Sequence, residues 1–479
     1  MPGYIARAFP TLYSTGSADF QAEHVRDVKP AEYFQHLLKY KDRRFARYSR
    51  WRYFALNSQM HWRVLQEGKV YVKQSLNGSQ LTVGDIQEMM KDDNHMADRV
   101  MRFGEGLHGT RQFWQKHSSE LYDMIKQLGA KGMIFFTFSA ADMHWPDLHQ
   151  LMPHRENKNP IDVESDEDRC KHRRQDLINN PHITAWFFNK RFETFLKTVL
   201  IPKWRLEDYW YRYEWQHRGS VHVYGIGIMR DAPLFDWDNM KDNKDEMSRI
   251  LSHFDSLVTT INPCPDAPVP VRHPCQKAND ELCDDLQDYI ELVNKLQKHT
   301  RCSPSYCLRT KNGQQYCRFG FPKDNVEHSF IHENDRGQLE LITSRNDPYV
   351  NSHNRVQLQG WHANVDLKPV LNIHAALQYV AKYATKSEPR SSFSEILNKI
   401  LSESDPSGSS LPSFQRLLLH TVSERDYSAQ ETCHLLLGLL LYHSSRTFVI
   451  LNLNNESHRW LCETGIENVM PNSDVGRTE

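Results

Sequence analysis

Two tyrosines four residues apart form the first motif whose chemistry can be stated from the sequence. Tyr379 and Tyr383 fall within a predicted helix over residues 373–386, and positions i and i+4 share one helix face. A phenol has a pKa of about 10, so it acts as a nucleophile only where a metal ion or an ammonium group stabilises the phenolate. Lys382 and Lys386 form a basic row beside the tyrosines. The same spacing is also typical of an aromatic pair packed into a core.

Polar side chains on a predicted strand form the second motif. Residues 220–228 favour a strand, in which His222 and Tyr224 project from the same face. Neutral imidazole is a common ligand of divalent metals, and Gln216 or Glu214, just upstream, can add an oxygen ligand. This pattern indicates a metal site, although a lone histidine on a strand is also typical of a hydrogen-bonded core residue.

A histidine and three cysteines form the third motif, with the spacing His299-x2-Cys302-x4-Cys307-x9-Cys317. One imidazole and three thiolates can complete a tetrahedral zinc shell, which leaves no open position for catalysis and therefore indicates structural zinc. Free buried thiols beside a helix-terminal histidine are the alternative. Three further cysteines could replace the histidine as fourth ligand: Cys264, Cys275 and Cys283.

The elements that position these motifs can be predicted from hydrophobic periodicity and glycines. A helix is expected over Arg111–Leu128, and Gly129 and Gly132 separate it from the apolar run 133–138, which is typical of a buried strand. The other predicted elements are helices at 41–52, 284–298 and 429–441 and a strand at 447–451.

Composition and charge limit the possible functions. The 479 residues suffice for two or three packed units, and no run of about 18 apolar residues predicts a membrane span. Neither a Gly-x4-Gly-Lys-Ser/Thr loop nor a Gly-x-Gly-x-x-Gly fingerprint occurs, which argues against ATP or dinucleotide binding. The net charge of -1 conceals an acidic region at 231–297 between basic regions at 1–70 and 298–390. These basic regions permit a polyanionic partner, although a solvated surface explains each alone.

Taken in order, these segments resemble the N-terminal replication-initiator part of Helitron transposases, rolling-circle elements whose proteins carry an HUH endonuclease. The matching motifs include Phe-Phe-Thr-Phe-Ser-Ala-Ala-Asp-Met-His-Trp-Pro at 135–146 and Gln-Tyr-Val-Ala-Lys-Tyr at 378–383. The other similar segments are 9–12, 33–44, 107–114, 214–216, 222–224, 302–322, 351–355, 361–366, the remainder of 376–388, and 428–436 and 443–448.

The resemblance implies an α+β fold, in which a central antiparallel HUH-type sheet is flanked by helices and carries a small zinc-binding insertion. The strand at 133–138 would lie beside the strand that bears His222. Three regions are expected: an N-terminal helical, basic and aromatic region at 1–105, an HUH endonuclease domain at 106–390 with the zinc insertion at about 295–325, and a C-terminal helical segment at 391–479 that leads toward a helicase.

The family mechanism implies a tyrosine-linked cleavage of single-stranded DNA at transposon ends and targets. Tyr379 and Tyr383 would be the nucleophiles that form a 5′-phosphotyrosine link and release a 3′-hydroxyl. A magnesium or manganese ion would polarise the scissile phosphate. Its expected ligands are His222, Gln216, Glu214 and Tyr224, and the expected DNA-binding residues are Lys382, Lys386 and Arg218.

Two departures from the family pattern lead to alternatives. Tyr224 stands where the family has its second metal-binding histidine, and a neutral phenol is the poorer ligand, so the chain could be a catalytically weakened or decayed Helitron-derived DNA-binding protein. The usual helicase motif is absent, so a separate helicase polypeptide is an expected partner. A nuclear location follows from the family alone. The third possibility is a protein-interaction scaffold that is stabilised by zinc and does not bind DNA.

Overall fold

The computed structural model describes most of the chain in ten main segments. These segments are residues 3–16, 19–24, 26–75, 105–153, 166–215, 219–277, 284–311, 313–335, 337–373 and 426–451. Residues 461–463 and a few isolated positions are also described. No helix within these segments is both long and apolar enough to cross a membrane.

Eleven strands and a larger number of short helices make up the described fold. The strands are β1 (Met133–Ser139), β2 (Leu206–Trp215), β3 (Val221–Met229), β4 (Leu308–Lys311), β5 (Gln314–Cys317), β6 (Phe330–Glu333), β7 (Leu339–Ile342), β8 (Val365–Pro369), β9 (Tyr442–Ser444), β10 (Val449–Leu451) and β11 (Leu461–Glu463). The α-helices are Tyr4–Ala8, Pro30–Leu38, Arg44–Arg47, Ser49–Ser75, Arg111–Leu128, Pro146–Gln150, Asp166–Asn179, Pro181–Phe195, Ile201–Trp204, Trp237–Met240, Lys244–Leu257, Asp285–Leu292, Arg355–Trp361 and Ala429–Leu436.

A five-stranded sheet lies at the centre of the molecule. Its order is β8-β1-β3-β2-β9, and every neighbouring pair is antiparallel. Three separate two-stranded sheets pair β4 with β5, β6 with β7, and β10 with β11. The expected central antiparallel sheet with helices is therefore confirmed, and β1 lies beside the strand that bears His222, as the resemblance implied.

The sheet is covered by helices on both faces. On the back face, Phe138 packs edge-on against Phe192 of helix Pro181–Phe195 and Trp361 of helix Arg355–Trp361, with ring centroids 5.4 and 5.1 Å away. The front face carries Tyr224 and forms a second apolar cluster with helix Arg111–Leu128. Apolar burial on both sides thus holds the sheet rigidly between helices.

Glycine is required at the centre of β3. A Cβ atom at Gly225 would lie 2.3 Å from two ring carbons of Phe136 and 2.9 Å from the carbonyl oxygen of Trp210. Such contacts are far below van der Waals separation, so the absence of a side chain allows the Phe136 ring to lie directly against the β3 backbone.

The helix Arg111–Leu128 has the predicted bounds because local signals fix both of its ends. The Thr110 side chain caps the first turn by accepting a hydrogen bond from the Phe113 amide at 3.3 Å. At the other end Gly129 adopts a φ of 71°, which ends the helix before β1.

The single helix predicted over residues 41–52 is wrong. The chain leaves the helical conformation at Tyr48, whose φ and ψ are -85° and 102°, and forms helices Arg44–Arg47 and Ser49–Ser75 instead. In one continuous helix, Phe45 and Trp51 would point about 120° apart. The break lets both rings enter the core, where their centroids are 5.0 Å apart.

The C-terminal prediction was also partly wrong. Helix Ala429–Leu436 ends before residue 441 because Gly438 adopts a φ of 68°, and the chain then forms β9. The main core includes Phe45, Phe136 and Cys433, one from each of the three regions expected from the sequence. The boundaries of those regions stay a prediction.

Candidate functional site

Strand register places three polar residues side by side on the front face. Glu214 of β2 lies opposite His222 of β3, which in turn lies opposite Ser139 of β1. Side chains of directly opposed residues in antiparallel strands share a face, with Cβ atoms about 4.5–5.5 Å apart. The Ser139 Oγ is 3.1 Å from the His222 Nδ1. We call Glu214, His222 and Ser139 the polar row.

A second row lies one step further into the sheet. Here Arg212, Tyr224, Thr137 and Asp366 are successive neighbours across β2, β3, β1 and β8. Tyr224 is 7% exposed and packs within the front cluster, its ring nearly parallel to that of Phe135. The phenol at this position thus belongs to the apolar packing of the front face.

The helix Arg111–Leu128 packs on the front face beside the second row. The buried Arg212 guanidinium carbon lies 3.6 Å from the ring centroid of Trp114, in the first turn of that helix. An arginine stacked on an aromatic face is held by both cation–π attraction and packing. The helix therefore fixes the position of a cation two residues along β2 from Glu214.

The beginning of the predicted tyrosine helix also reaches the front face. Ala375 and Leu377 are partly buried against the cluster that contains Tyr224 and Phe135. Tyr379, Tyr383, Lys382 and Lys386, which follow in sequence, lie outside the described residues, as do Gln216 and Arg218.

Ser139 and Asp366 belong to these rows but were not among the site residues predicted from the sequence. Asp366 is 34% exposed and its carboxylate lies 3.4 Å from the Lys368 Nζ. Alternation along β1 could have identified Ser139, because it follows Met133, Phe135 and Thr137 on one face. For Asp366, the partner strand had first to be known.

The four residues of the third motif come together in the structure. From the His299 Nε2, the sulfur atoms of Cys302, Cys307 and Cys317 lie 3.2, 3.7 and 3.6 Å away. All four ligand atoms lie within 4.8 Å of one another. A tetrahedral zinc shell has nitrogen–sulfur edges of about 3.5 Å, given its usual bond lengths. The cluster can therefore hold a metal ion.

A short hairpin builds this cluster. Cys307 directly precedes β4, and Cys317 ends β5 opposite Leu308. Gly313, with a φ of 79°, lies in the turn between the two strands. Cys307 and Cys317 are buried with Phe321, whereas Cys302 is exposed.

The other cysteines that could have supplied a ligand do not join this cluster where the structure describes them. Cys275 is fully buried in the main core, and that burial raises the pKa of its thiol to about 12. Cys264 also lies outside the only group of three or more potential ligands found among the described residues. Cys283 lies outside the described residues.

A family model matches part of the N-terminal half of the chain. Residues 33–226 match the model of the Helitron helicase-like domain found at the N-terminus of such proteins. The chain thus carries a Helitron helicase-like N-terminal region, which includes β1, β2 and His222, and the resemblance is confirmed there. The metal cluster and the two tyrosines lie beyond the matched residues. No curated protein matches the chain.

Proposed function

We propose that this chain is a metal-dependent endonuclease and strand transferase that acts on single-stranded DNA in rolling-circle Helitron transposition. We also propose that its central sheet is of the HUH type. The observation that carries the proposal is the placement of His222 beside Glu214 on the front face, where Ala375 and Leu377 of the tyrosine segment also pack. The matched Helitron helicase-like domain supports the same enzyme class.

The polar row fits a hard divalent ion that accepts one imidazole. Carboxylate oxygen with imidazole nitrogen suits manganese, and magnesium prefers oxygen ligands alone. Glu214 and His222 would hold the ion, and Gln216 and Tyr224 are the further ligands proposed from the sequence. When bound, the ion would withdraw charge from a scissile phosphate.

Ser139 orients the histidine for this task. When the His222 Nδ1–H donates to the Ser139 Oγ, the Nε2 carries the lone pair and becomes the ligand nitrogen. The opposite tautomer would place a proton on Nε2 and prevent coordination. The hydroxyl would therefore act on a bound metal ion indirectly, by orienting the ring of His222.

In the proposed reaction, the oxygen of Tyr379 or Tyr383 forms a bond to phosphorus as its proton leaves to solvent. The bond from phosphorus to the 3′ oxygen breaks and that oxygen takes up a proton from solvent, so one strand ends in a 3′-hydroxyl and the other in a 5′-phosphotyrosine. Because the link remains a phosphodiester, a 3′-hydroxyl can reverse the step without ATP. Lys382, Lys386 and Arg218 are proposed to bind the strand's phosphates.

The His299–Cys302–Cys307–Cys317 cluster is proposed to hold zinc in a structural role. Three thiolates and an imidazole are the ligands of closed structural sites. The remaining proposals are a nuclear location, single-stranded DNA of transposon ends and targets as the partner, and a helicase supplied as a separate polypeptide.

The decisive experiment is a covalent-adduct assay with manganese and a labelled single-stranded oligonucleotide. The chain should form a denaturation-resistant protein–DNA adduct, which the Tyr379→Phe, Tyr383→Phe double variant should lose. Tyr122→Phe, which alters an exposed tyrosine of helix Arg111–Leu128, is the matched control and should form the adduct normally. An adduct that survives the double substitution contradicts the nucleophile assignment.

Tyr224 favours a second candidate function, a Helitron-derived DNA-binding protein with weakened catalysis. Its ring is packed in the front cluster at the position where a second histidine ligand is expected. If the natural chain binds single-stranded DNA without forming an adduct, and Tyr224→His gains one, this second function is correct.

A further inference from the structure

The hairpin that holds the metal cluster has an unusual charge for its size. We call residues 299–323 the metal-binding hairpin. This stretch contains no aspartate or glutamate, and its cations are Arg301, Arg309, Lys311, Arg318 and Lys323. A zinc ion with three thiolates contributes a formal charge of only -1, so the positive surplus persists. The surface is therefore suited to a polyanion.

Exposed aromatic rings accompany these cations. Tyr306, Tyr316 and Phe319 are 60%, 48% and 41% exposed. Apolar rings grouped at a surface are unfavourable in water, and a group of them marks an interaction site more often than isolated ones do. Their grouping on one small hairpin therefore requires an explanation beyond folding.

Three of these side chains form a connected group. The rings of Tyr306 and Phe319 have centroids 5.8 Å apart, and the Arg318 guanidinium lies over both, 5.2 Å from the first and 4.5 Å from the second. This arrangement offers flat π surfaces and a planar cation at one place. We call Tyr306, Arg318 and Phe319 the stacking group.

The metal ligands hold the stacking group in position. Tyr306 directly precedes Cys307, and Arg318 directly follows Cys317. The Arg318 amide also donates to the Cys307 carbonyl at 2.8 Å. Because a bound metal would fix both cysteines, the rings would lose little further freedom when a ligand binds.

We propose that the stacking group binds the unpaired bases of single-stranded DNA, while the neighbouring cations contact its phosphates. Flat rings interleaved with cations are the means by which proteins grip single strands without reading sequence. A duplex keeps its bases stacked internally and cannot offer them to the rings. A second copy of this hairpin would bring like charges together. The inference rests on the proposed function, to which it adds a binding site about 80 residues from the polar row in sequence.

The test measures equilibrium binding of the full-length, zinc-loaded chain to a fluorescent oligothymidylate by anisotropy, without manganese so that no cleavage occurs. The Tyr306→Ala, Phe319→Ala double variant should bind about tenfold more weakly or worse, as expected for the loss of one or two stacked bases. An abasic strand of equal length, which keeps the phosphates, should bind the natural and variant chains alike.

Controls separate stacking from charge and from folding. Arg318→Lys keeps the charge but lacks the planar group, so it should lose affinity while the salt dependence stays unchanged. Tyr122→Ala removes an exposed ring that also lies beneath a cation, Lys126, and should bind normally. Zinc content and the unfolding midpoint should be the same in all variants, because the altered side chains are exposed.

Each outcome decides a different question. Unchanged binding by the double variant overturns the stacking proposal but leaves the proposed endonuclease intact, since the adduct assay tests that separately. An equal loss on the abasic strand also overturns stacking, because it would show that the hairpin contacts phosphates alone. If the natural chain binds no single strand at low salt, both proposals fail.

Discussion

The polar row and the metal-binding hairpin hold their side chains by different forces. Backbone hydrogen bonds from three adjoining strands fix the polar row, and helices cover both faces of the sheet around it. The metal-binding hairpin has two four-residue strands that are mostly exposed, with Cys307, Cys317 and Phe321 as its small buried cluster. The first region is therefore formed by the fold itself, whereas the second would depend on a metal ion held by its His and Cys ligands.

If the hairpin holds the proposed zinc, removal of that zinc should have the largest effect, and the effect should be confined to the hairpin. Structural zinc binds with an apparent free energy of about 10–16 kcal/mol, much of which is folding free energy in so small a unit. In the Cys317→Ser variant, backbone amides of residues 302–320 should exchange with deuterium as in an unfolded peptide, while those of β1 and β3 stay protected. Hydrogen-exchange mass spectrometry measures both regions at once. If the hairpin amides were as well protected without metal as with it, the hairpin would not depend on a metal ion, and the proposed difference from the sheet would be wrong.

The converse change is Gly225→Val, which should weaken the sheet and spare the hairpin. Its side chain would collide with the Phe136 ring, and overpacking of this kind costs about 1–3 kcal/mol or more. Denaturant unfolding should show the loss, while zinc content stays unchanged. Gly227→Ala is a graded control, because its Cβ would meet the flexible end of Leu206 at 3.0 Å and should cost less.

Acid should also destabilise the region around the sheet. Burial lowers the pKa of His353 and of His434 to about 4. Unfolding restores ordinary pKa values of about 6.5, so the unfolded chain binds more protons between these two values. Stability should therefore be complete above pH 6.5 and fall as the pH drops toward 4, by up to about 1.4 kcal/mol per pH unit for each histidine.

Urea unfolding at a series of pH values, followed by tryptophan fluorescence, measures this slope. In the His353→Gln variant, the free energy of unfolding should change less per pH unit between pH 6.5 and 4, because one fewer histidine takes up a proton on unfolding. His24→Gln is the control, because that side chain is on the surface, where its Nε2 lies 3.2 Å from the Phe20 carbonyl oxygen. A slope that is the same in all three chains would disprove the assignment.

The smallest effect is expected from Ser139→Ala, which leaves the sheet intact but removes the partner of the His222 ring. Net stability should change by about 1 kcal/mol or less, the usual value of one hydrogen bond. The rate of adduct formation with manganese should fall about tenfold, because loss of such supporting groups typically costs 10–100-fold. Ser118→Ala, which removes a serine bonded to the Trp114 carbonyl, should leave the rate unchanged.

Features that depend on near neighbours in the chain could be predicted from the sequence. The helix Arg111–Leu128 has its cap and its terminating glycine at its own ends, and the predicted ligands His299 to Cys317 lie within nineteen positions of one another. The short spacing of these four ligands in the sequence is the main reason that their convergence could be predicted. The same is true of the β1 strand, which the run of apolar residues identified.

Features that depend on distant partners could not be predicted. The sequence of β2 did not predict a buried strand, because Arg212 and Glu214 are charged. In the structure both are nevertheless buried, at 1% and 5% exposure. Arg212 packs on Trp114, which belongs to a separate helix that is distant in sequence. The contact between Ser139 and His222 likewise joins residues 83 positions apart.

The strand order has a consequence for synthesis on the ribosome. The outer strand β9 pairs with β2, joining Ser444 to Trp210, so more than two hundred residues must be translated after β2 before its partner emerges. At about 5–20 residues per second, that interval is roughly 10–50 seconds. Throughout it, β2 presents an open edge that other chains can pair with. Slower translation should therefore increase aggregation of the nascent protein, and chaperones that cover exposed strands should relieve it.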